Sequence, residues 1–275
     1  MQVSPTFEVR NLRFEVDRSI PKFWQGGPKG VSLFLDNLST LFPPGERFFM
    51  RAVRHFQDRV EDPTLRADVR AFHGQEAMHT REHRRYNDHL LSHDLPADVL
   101  EAEVAKLLEL VERVLPKRWQ LAATVALEHY TALLADILLD DPTLLAQAHP
   151  ELAELWRWHA VEEGEHKHVA FDVYELAGGN YPERVGIMIL ASVIFWAVVA
   201  EQQVRLMKAA DIHLSAKEWR EFFTYMFVKP APLRKLAIPF LRFFKPGFHP
   251  NQIPSTPAVE AWKAKRDAAM AAVAN

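Results

Sequence analysis

Two stretches of the chain repeat one chemical pattern. "GQEAMH" carries Glu76 and His79, and "WHAVEEGEHKHVAF" carries Glu163 and His166, each pair as Glu-x-x-His. On an α-helix this spacing sets the two side chains within about 60° of each other, so each pair offers an oxygen and a nitrogen from one face. Burying such groups is costly unless something pairs with them. Two such pairs on separate helices are the mark of dinuclear metal sites, which also take one glutamate from each of two further helices.

Both further glutamates are present. Glu46 lies 30 residues before Glu76 in "PPGERFFMRAV", on a face with Phe42, Phe49, Met50 and Val53. Glu128 lies 35 residues before Glu163 in "TVALEHYTALLAD", on a face with Leu121, Val125, Ala132 and Ala135. The order Glu, Glu-x-x-His, Glu, Glu-x-x-His suggests a duplicated half-site enclosing two ions. Four carboxylates and two imidazoles suit two iron ions, and manganese takes the same donors. Glu46, Glu76, His79, Glu128, Glu163 and His166 are thus the expected metal and catalytic residues. His159 precedes Glu163 by one helical turn and is expected as a third histidine ligand. His83 and His73 share the face of Glu76 and His79 and are expected to support the ligands from outside. Glu162 and Glu165 fall off the ligand face and read as solvated or salt-bridged. His168 points about 140° from Glu163 and reads as a surface group or a second contact, and His129 lies about 100° around from Glu128.

The elements that must position these groups are helices. Scarce glycine and long apolar periodicity give an all-α chain, beyond an N-terminal "FEVRNLRFEVD" that reads as a short strand pair or an extended arm. Helices are expected over 31–42 (stopped by Pro43-Pro44), 44–59, 63–92, 96–114 and 116–139, with a short one after "DDPT". One helix from Pro150 to the glycines at 178–179 carries the cluster. Others follow over 182–210, 215–228, 231–244 and 257–273. The expected organisation is an arm (1–30), a metal-binding bundle (31–180), apolar and basic-aromatic helices packed on it (181–250) and a C-terminal helix or tail (251–275).

Composition narrows the chemistry. With 275 residues and a net charge of −3, nothing overall suggests nucleic acid as a partner. There is no cysteine, which excludes disulfides, thiolate metal sites and cysteine nucleophiles. The first twenty residues lack the apolar core of a secretory signal, and a cytoplasmic location is expected, with membrane association as the alternative. "VGIMILASVIFWAVVA" (185–200) is shorter than the roughly 20 residues a spanning helix needs, so a buried or groove-lining helix is expected ahead of membrane contact. "RKLAIPFLRFF" mixes cations with apolar residues and reads as packed on the bundle or as an interfacial helix.

The stretches "PPGERFF", "FHGQEAMHTREH", "ALEHYTA" and "WHAVEEGEHKHVAFDVY" resemble the ferritin-like family called predicted metal-dependent hydrolases, over about residues 20–250. The resemblance implies a ferritin-like four-helix bundle, here with additional C-terminal helices, around a dinuclear metal centre. With His159 included, the ligand pattern is also similar to that of di-iron arylamine N-oxygenases. Three activities stay open. The first expectation is an oxygen-activating di-iron oxidase or oxygenase acting on a small apolar substrate, in a pocket lined by Phe49, Phe72 and Trp156. The second is a hydrolase using a water activated by two metals. The third is a non-enzymatic iron-binding protein. A homodimer is an open expectation beside these.

Overall fold

The computed structural model describes residues 3–254 and 257–274, and no strand occurs among them. Of the tail expected over 251–275, positions 255, 256 and 275 lie outside the described residues, as do positions 1 and 2 of the arm. The chain is an all-α bundle: α1 (Lys29–Arg54), α2 (Pro63–Ser92), α3 (Ala97–Val114), α4 (Lys117–Asp140), α5 (Pro150–His166), α6 (Val169–Leu176), α7 (Tyr181–Ala209), α8 (Ala216–Phe227), α9 (Pro232–Arg242) and α10 (Pro257–Ala274). Several starts carry their own signal. Asp62 accepts from the backbone N–H groups of Thr64 and Leu65 with Pro63 in the first turn, and Asn180 caps α7 through Glu183 N–H in the same way.

α1 packs along α2, and α4 along α5, so the helices bearing the four glutamates form two neighbouring pairs. α3 lies against α1, α7 against α4 and α1, and α9 against α4. Residues 3–28 form an extended arm rather than a strand pair. The arm crosses α2 so closely that a Cβ on Gly74 would meet a Val9 methyl at 2.8 Å, which accounts for a glycine inside a long helix.

Two helix boundaries differ from expectation. α1 runs through Pro43 and Pro44 without stopping. A proline at 43 leaves the Ser39 carbonyl without its helical donor, and Asn87 Nδ2 approaches that oxygen at 3.4 Å. The cluster helix, expected to be continuous to the glycines, breaks after His166 and resumes at Val169. Lys167 and His168 keep right-handed dihedrals there, so the ladder is interrupted without the chain reversing. Lys167 Nζ is tied to the Ile253 carbonyl at 2.6 Å.

α4 and α7 are both long and apolar enough to cross a membrane by length and composition. In α4, 67% of the apolar window is buried, as befits a core helix, but in α7 only 22% is. Of the expectation for 185–200, full burial is therefore corrected, while the groove-lining alternative holds, since Ile187, Ala191, Ile194 and Phe195 line a cavity. One face of α7 packs on the bundle, held by Asn37 and Gln203 donating to the Val199 and Gly30 carbonyls. The face that includes Ile189, Leu190 and Val193 is exposed.

Candidate metal centre

Glu46 comes from α1, Glu76 and His79 from α2, Glu128 from α4, and His159, Glu163 and His166 from α5. All seven are buried and meet between the two helix pairs. His166 Nε2 lies 3.2 Å from Glu76 Oε1, 3.4 Å from Glu128 Oε2 and 3.6 Å from Glu163 Oε2. Glu163 Oε1 lies 3.1 Å from His159 Nε2 and 3.6 Å from His79 Nδ1. Three overlapping sets can each hold an ion: Glu46, His79 and His159; Glu76, Glu128 and His166; and Glu76, His79 and Glu163. Glu76 and His79 are each shared between two of these sets, so the sets adjoin one another.

The donor atoms pass a direct test of fit. Both oxygens of Glu76 and Glu128, Glu46 Oε1, Glu163 Oε2, His79 Nδ1, His159 Nε2 and His166 Nε2 are buried without a hydrogen-bond partner. Buried polar atoms are rarely left so, and these converge on one volume.

The outer nitrogens of the imidazoles are engaged in a way that turns the inner ones toward the cage. Gln75 donates through Nε2 to the Glu8 carbonyl and to Glu165, so its Oε1 faces His166 and accepts from Nδ1 at 2.9 Å. Glu162 Oε2 accepts from His79 Nε2 at 3.0 Å. Ser39 donates to Asn87 Oδ1, so its oxygen accepts from His83 Nδ1, and His83 Nε2 then accepts from His159 Nδ1 at 2.9 Å. In the neutral imidazoles, each chain of donors leaves the lone pair on the nitrogen that faces the carboxylates. Thr80 donates to Glu46 Oε2 at 2.7 Å, fixing that carboxylate as well.

Electrostatics carry the same message. Burial pushes Glu46 and Glu76 well above the usual carboxylate range and Glu128 up to about 7. Burial also acts upward on Glu163, but His166 and His159 outweigh it and hold Glu163 well below that range. His166 rises well above its ordinary value, because Glu163 and Glu128 overcome its burial. Burial thus favours the neutral forms of Glu46, Glu76 and Glu128, while Glu163 and His166 each favour the charged form of the other. A bound metal cation would compete with protons for these groups.

Some expected residues sit elsewhere. His83 stands behind His159, as described. His73 hydrogen-bonds to none of the ligands, which corrects its expected supporting role; its ring nitrogens have no partner, and burial pulls it down to about 4. Of the two readings for Glu162 and Glu165, the structure shows the salt-bridged one. Arg10 of the arm binds Glu165 at 2.6 Å and reaches Glu162 at 3.3 Å, all three being nearly or fully buried. His168 is only partly exposed and lies 3.4 Å from Asp68. His129 packs against Phe243 and Phe248, away from the cage. Sequence reasoning missed Arg10, Gln75, Ser39 and Asn87. Gln75 adjoins Glu76 and was within reach of a helical-wheel argument, whereas Arg10 acts across 152 residues and left no local trace.

A cavity of about 220 Å³ opens beside the cage. Its lining comes mainly from α1, α3, α4 and α7, with residues of α5, α8 and α9, and is almost wholly apolar, with Glu46 and His159 reaching its wall. Phe49 and Trp156 line it as expected. Phe72 does not, and instead packs edge-on against His166 at 5.0 Å. Among the described residues, no lysine or arginine lines the cavity.

No curated protein and no solved structure matches the chain significantly. The family model described as "Predicted metal-dependent hydrolase" matches residues 8–253. Its description favours the hydrolytic expectation and lends none of its weight to the oxidase. The match spans most of the chain, and the buried His/Glu clusters lie within it. The chain therefore belongs to the predicted metal-dependent hydrolase family.

Proposed function

We propose that this protein is a two-metal hydrolase acting on an uncharged acyl bond, such as an ester, in a substrate with a long apolar portion. The family description supports the reaction class. The observation that carries the substrate class is the apolar cavity with Glu46 and His159 in its wall. Its α1 lining alone runs from Val31 to Phe49, about 27 Å at the rise of a helix. A lining without cations disfavours phosphoryl or carboxylate groups inside the channel.

The residues that would hold the ions are Glu46, His79 and His159 on one side and Glu76, Glu128 and His166 on the other, with Glu163 reaching both. Iron, manganese and zinc all accept such oxygen and nitrogen donors. Bound ions supply a water of lowered pKa and polarise the acyl oxygen. The protein does the rest. Phe42 and Trp156 wall the space beside His159, with ring centroids at 4.5 and 6.2 Å from it, and keep bulk water from that side. Glu162 and Gln75 fix the imidazole tautomers. The channel holds the apolar chain so that only its polar end can approach the cage.

A second reading is oxygen-dependent oxidation of an apolar substrate, for which the same carboxylate-rich cage and the cation-free lining also speak. One experiment separates them: release of acid from p-nitrophenyl esters of rising chain length by metal-loaded protein, under argon and in air. Hydrolysis predicts equal rates in both gases. It also predicts kcat/KM rising with each added methylene, by up to about fourfold at roughly 0.8 kcal/mol. Turnover only in air moves the assignment to oxidation, and no turnover of any ester in either gas contradicts the hydrolytic reading.

A further inference from the structure

The exposed face of α7 is unusual in having no polar relief. From Gly186 through Ile189, Leu190, Val193 and Ala197 to Ala200, the outward positions recur every three or four residues and are all apolar. Val193 is 65% exposed. Between Arg184 and Glu201 no charged residue occurs. A soluble surface seldom leaves such a stripe uncovered.

The segment that follows α9 is tied to the start of α7: Tyr181 donates to the Phe244 carbonyl, and Arg184 donates to that of Lys245. Tyr130 of α4 stacks on both Phe195 of α7 and Phe240, at 5.4 and 5.1 Å. α9 adds its own exposed apolar residues, Ile238 at 75% and Leu241 at 63%. Cations surround them. No Asp or Glu occurs between Glu221 and Glu260, while Lys229, Arg234, Lys235, Arg242 and Lys245 all stand in that stretch and are exposed. Only Lys235 has an acidic partner among the described residues, Asp141 at 2.8 Å.

We propose that the α7–α9 face docks the protein onto an anionic phospholipid bilayer. The apolar stripe of α7 with Ile238 and Leu241 enters the headgroup boundary, and the four unpaired cations meet lipid phosphates. Helices with one apolar face and flanking cations bind membranes in this manner, lying in the interface rather than spanning it. The buried face of α7, anchored to the bundle through Asn37 and Gln203, keeps the helix on the protein. Charge decides between occupants: two copies of this face would set like charges against each other, whereas an anionic bilayer complements them. Leu190 links the surface to the site, being 47% exposed and also lining the cavity. Docking there would let an apolar substrate pass from lipid into the channel; that consequence rests on the proposed function, and the docking itself does not.

The test is sedimentation of the full-length chain with vesicles of mixed phosphatidylcholine and phosphatidylglycerol, and with phosphatidylcholine alone. No substrate or catalysis is needed, so failure here is distinct from failure of the hydrolytic reading. The expected result is binding at least about tenfold stronger to the anionic vesicles, weakened strongly by about 0.5 M salt. Val193→Glu with Ile238→Glu, and separately Arg234→Glu with Arg242→Glu, should each weaken binding by about tenfold or more, with helical content and metal per chain unchanged. Absence of vesicle binding, or variants that bind as the wild type does, overturns the proposal. A stable dimer that Val193→Glu splits overturns it also, and assigns the face to a second copy.

Discussion

Glu128 shows what the cage asks of a single residue. Its carboxylate has no hydrogen-bond donor, is fully buried, and titrates near 7 rather than in the ordinary carboxylate range. Between pH 4.5 and 7 the unfolded carboxyl has lost its proton and the folded one has kept it. Stability of the metal-free protein therefore falls as pH rises through that window, by up to about 3 kcal/mol for this group. Thermal melts of metal-free protein should show a drop of roughly 5 °C or more across it. Glu128→Gln keeps the shape and removes the charge. It should flatten that pH dependence and lower metal content to one ion per chain or fewer, as read by elemental analysis. His83 acts one step further out. His83→Ala leaves His159 free to turn, and metal affinity should fall about 10–100-fold in a titration without loss of fold. The convergence of the seven residues was legible because helix periodicity fixes which residues share a face. Partners reached through space, such as Asn87 behind Ser39, were not, since no spacing in the chain encodes them.

At the scale of elements, the N-terminal arm does more than cover the bundle. It brings Arg10 to Glu162 and Glu165, and Glu162 in turn holds His79. Arg10→Met would strand buried carboxylates, so the protein should lose about 3–5 kcal/mol, seen as a lowered denaturation midpoint. Lys263 also reaches Glu165, at 2.8 Å, and will offset part of that loss. The long helices α2, α3 and α4 were readable from their proline starts and apolar periods. α1 was not, because Pro43-Pro44 signals a stop in isolation. The packing of α1 along α2, with Asn87 near the freed carbonyl, overrides that local preference. α7 was ambiguous for a different reason: a helix apolar on every side carries no periodicity to say which face is buried.

For the whole molecule, the cage and the channel are separable parts. Leu190→Trp at the channel mouth should slow turnover of long-chain esters about tenfold, spare short ones and leave metal content unchanged, as measured by kcat/KM across a chain-length series. The all-helical architecture followed from the sequence, since glycine-poor, periodic segments between prolines leave little room for a sheet. The channel did not, because it forms from residues of α1, α3, α4, α5, α7, α8 and α9 that meet only on folding. The central claim is that these helices hold two metal ions among Glu46, Glu76, His79, Glu128, His159, Glu163 and His166. The most direct measurement is the number of ions per chain, by elemental analysis of protein reconstituted with iron(II) or manganese(II) and freed of excess metal. The account predicts about two ions in the wild type and one or none in Glu128→Gln. A wild type that retains no metal, or a variant that retains the full complement, would contradict it.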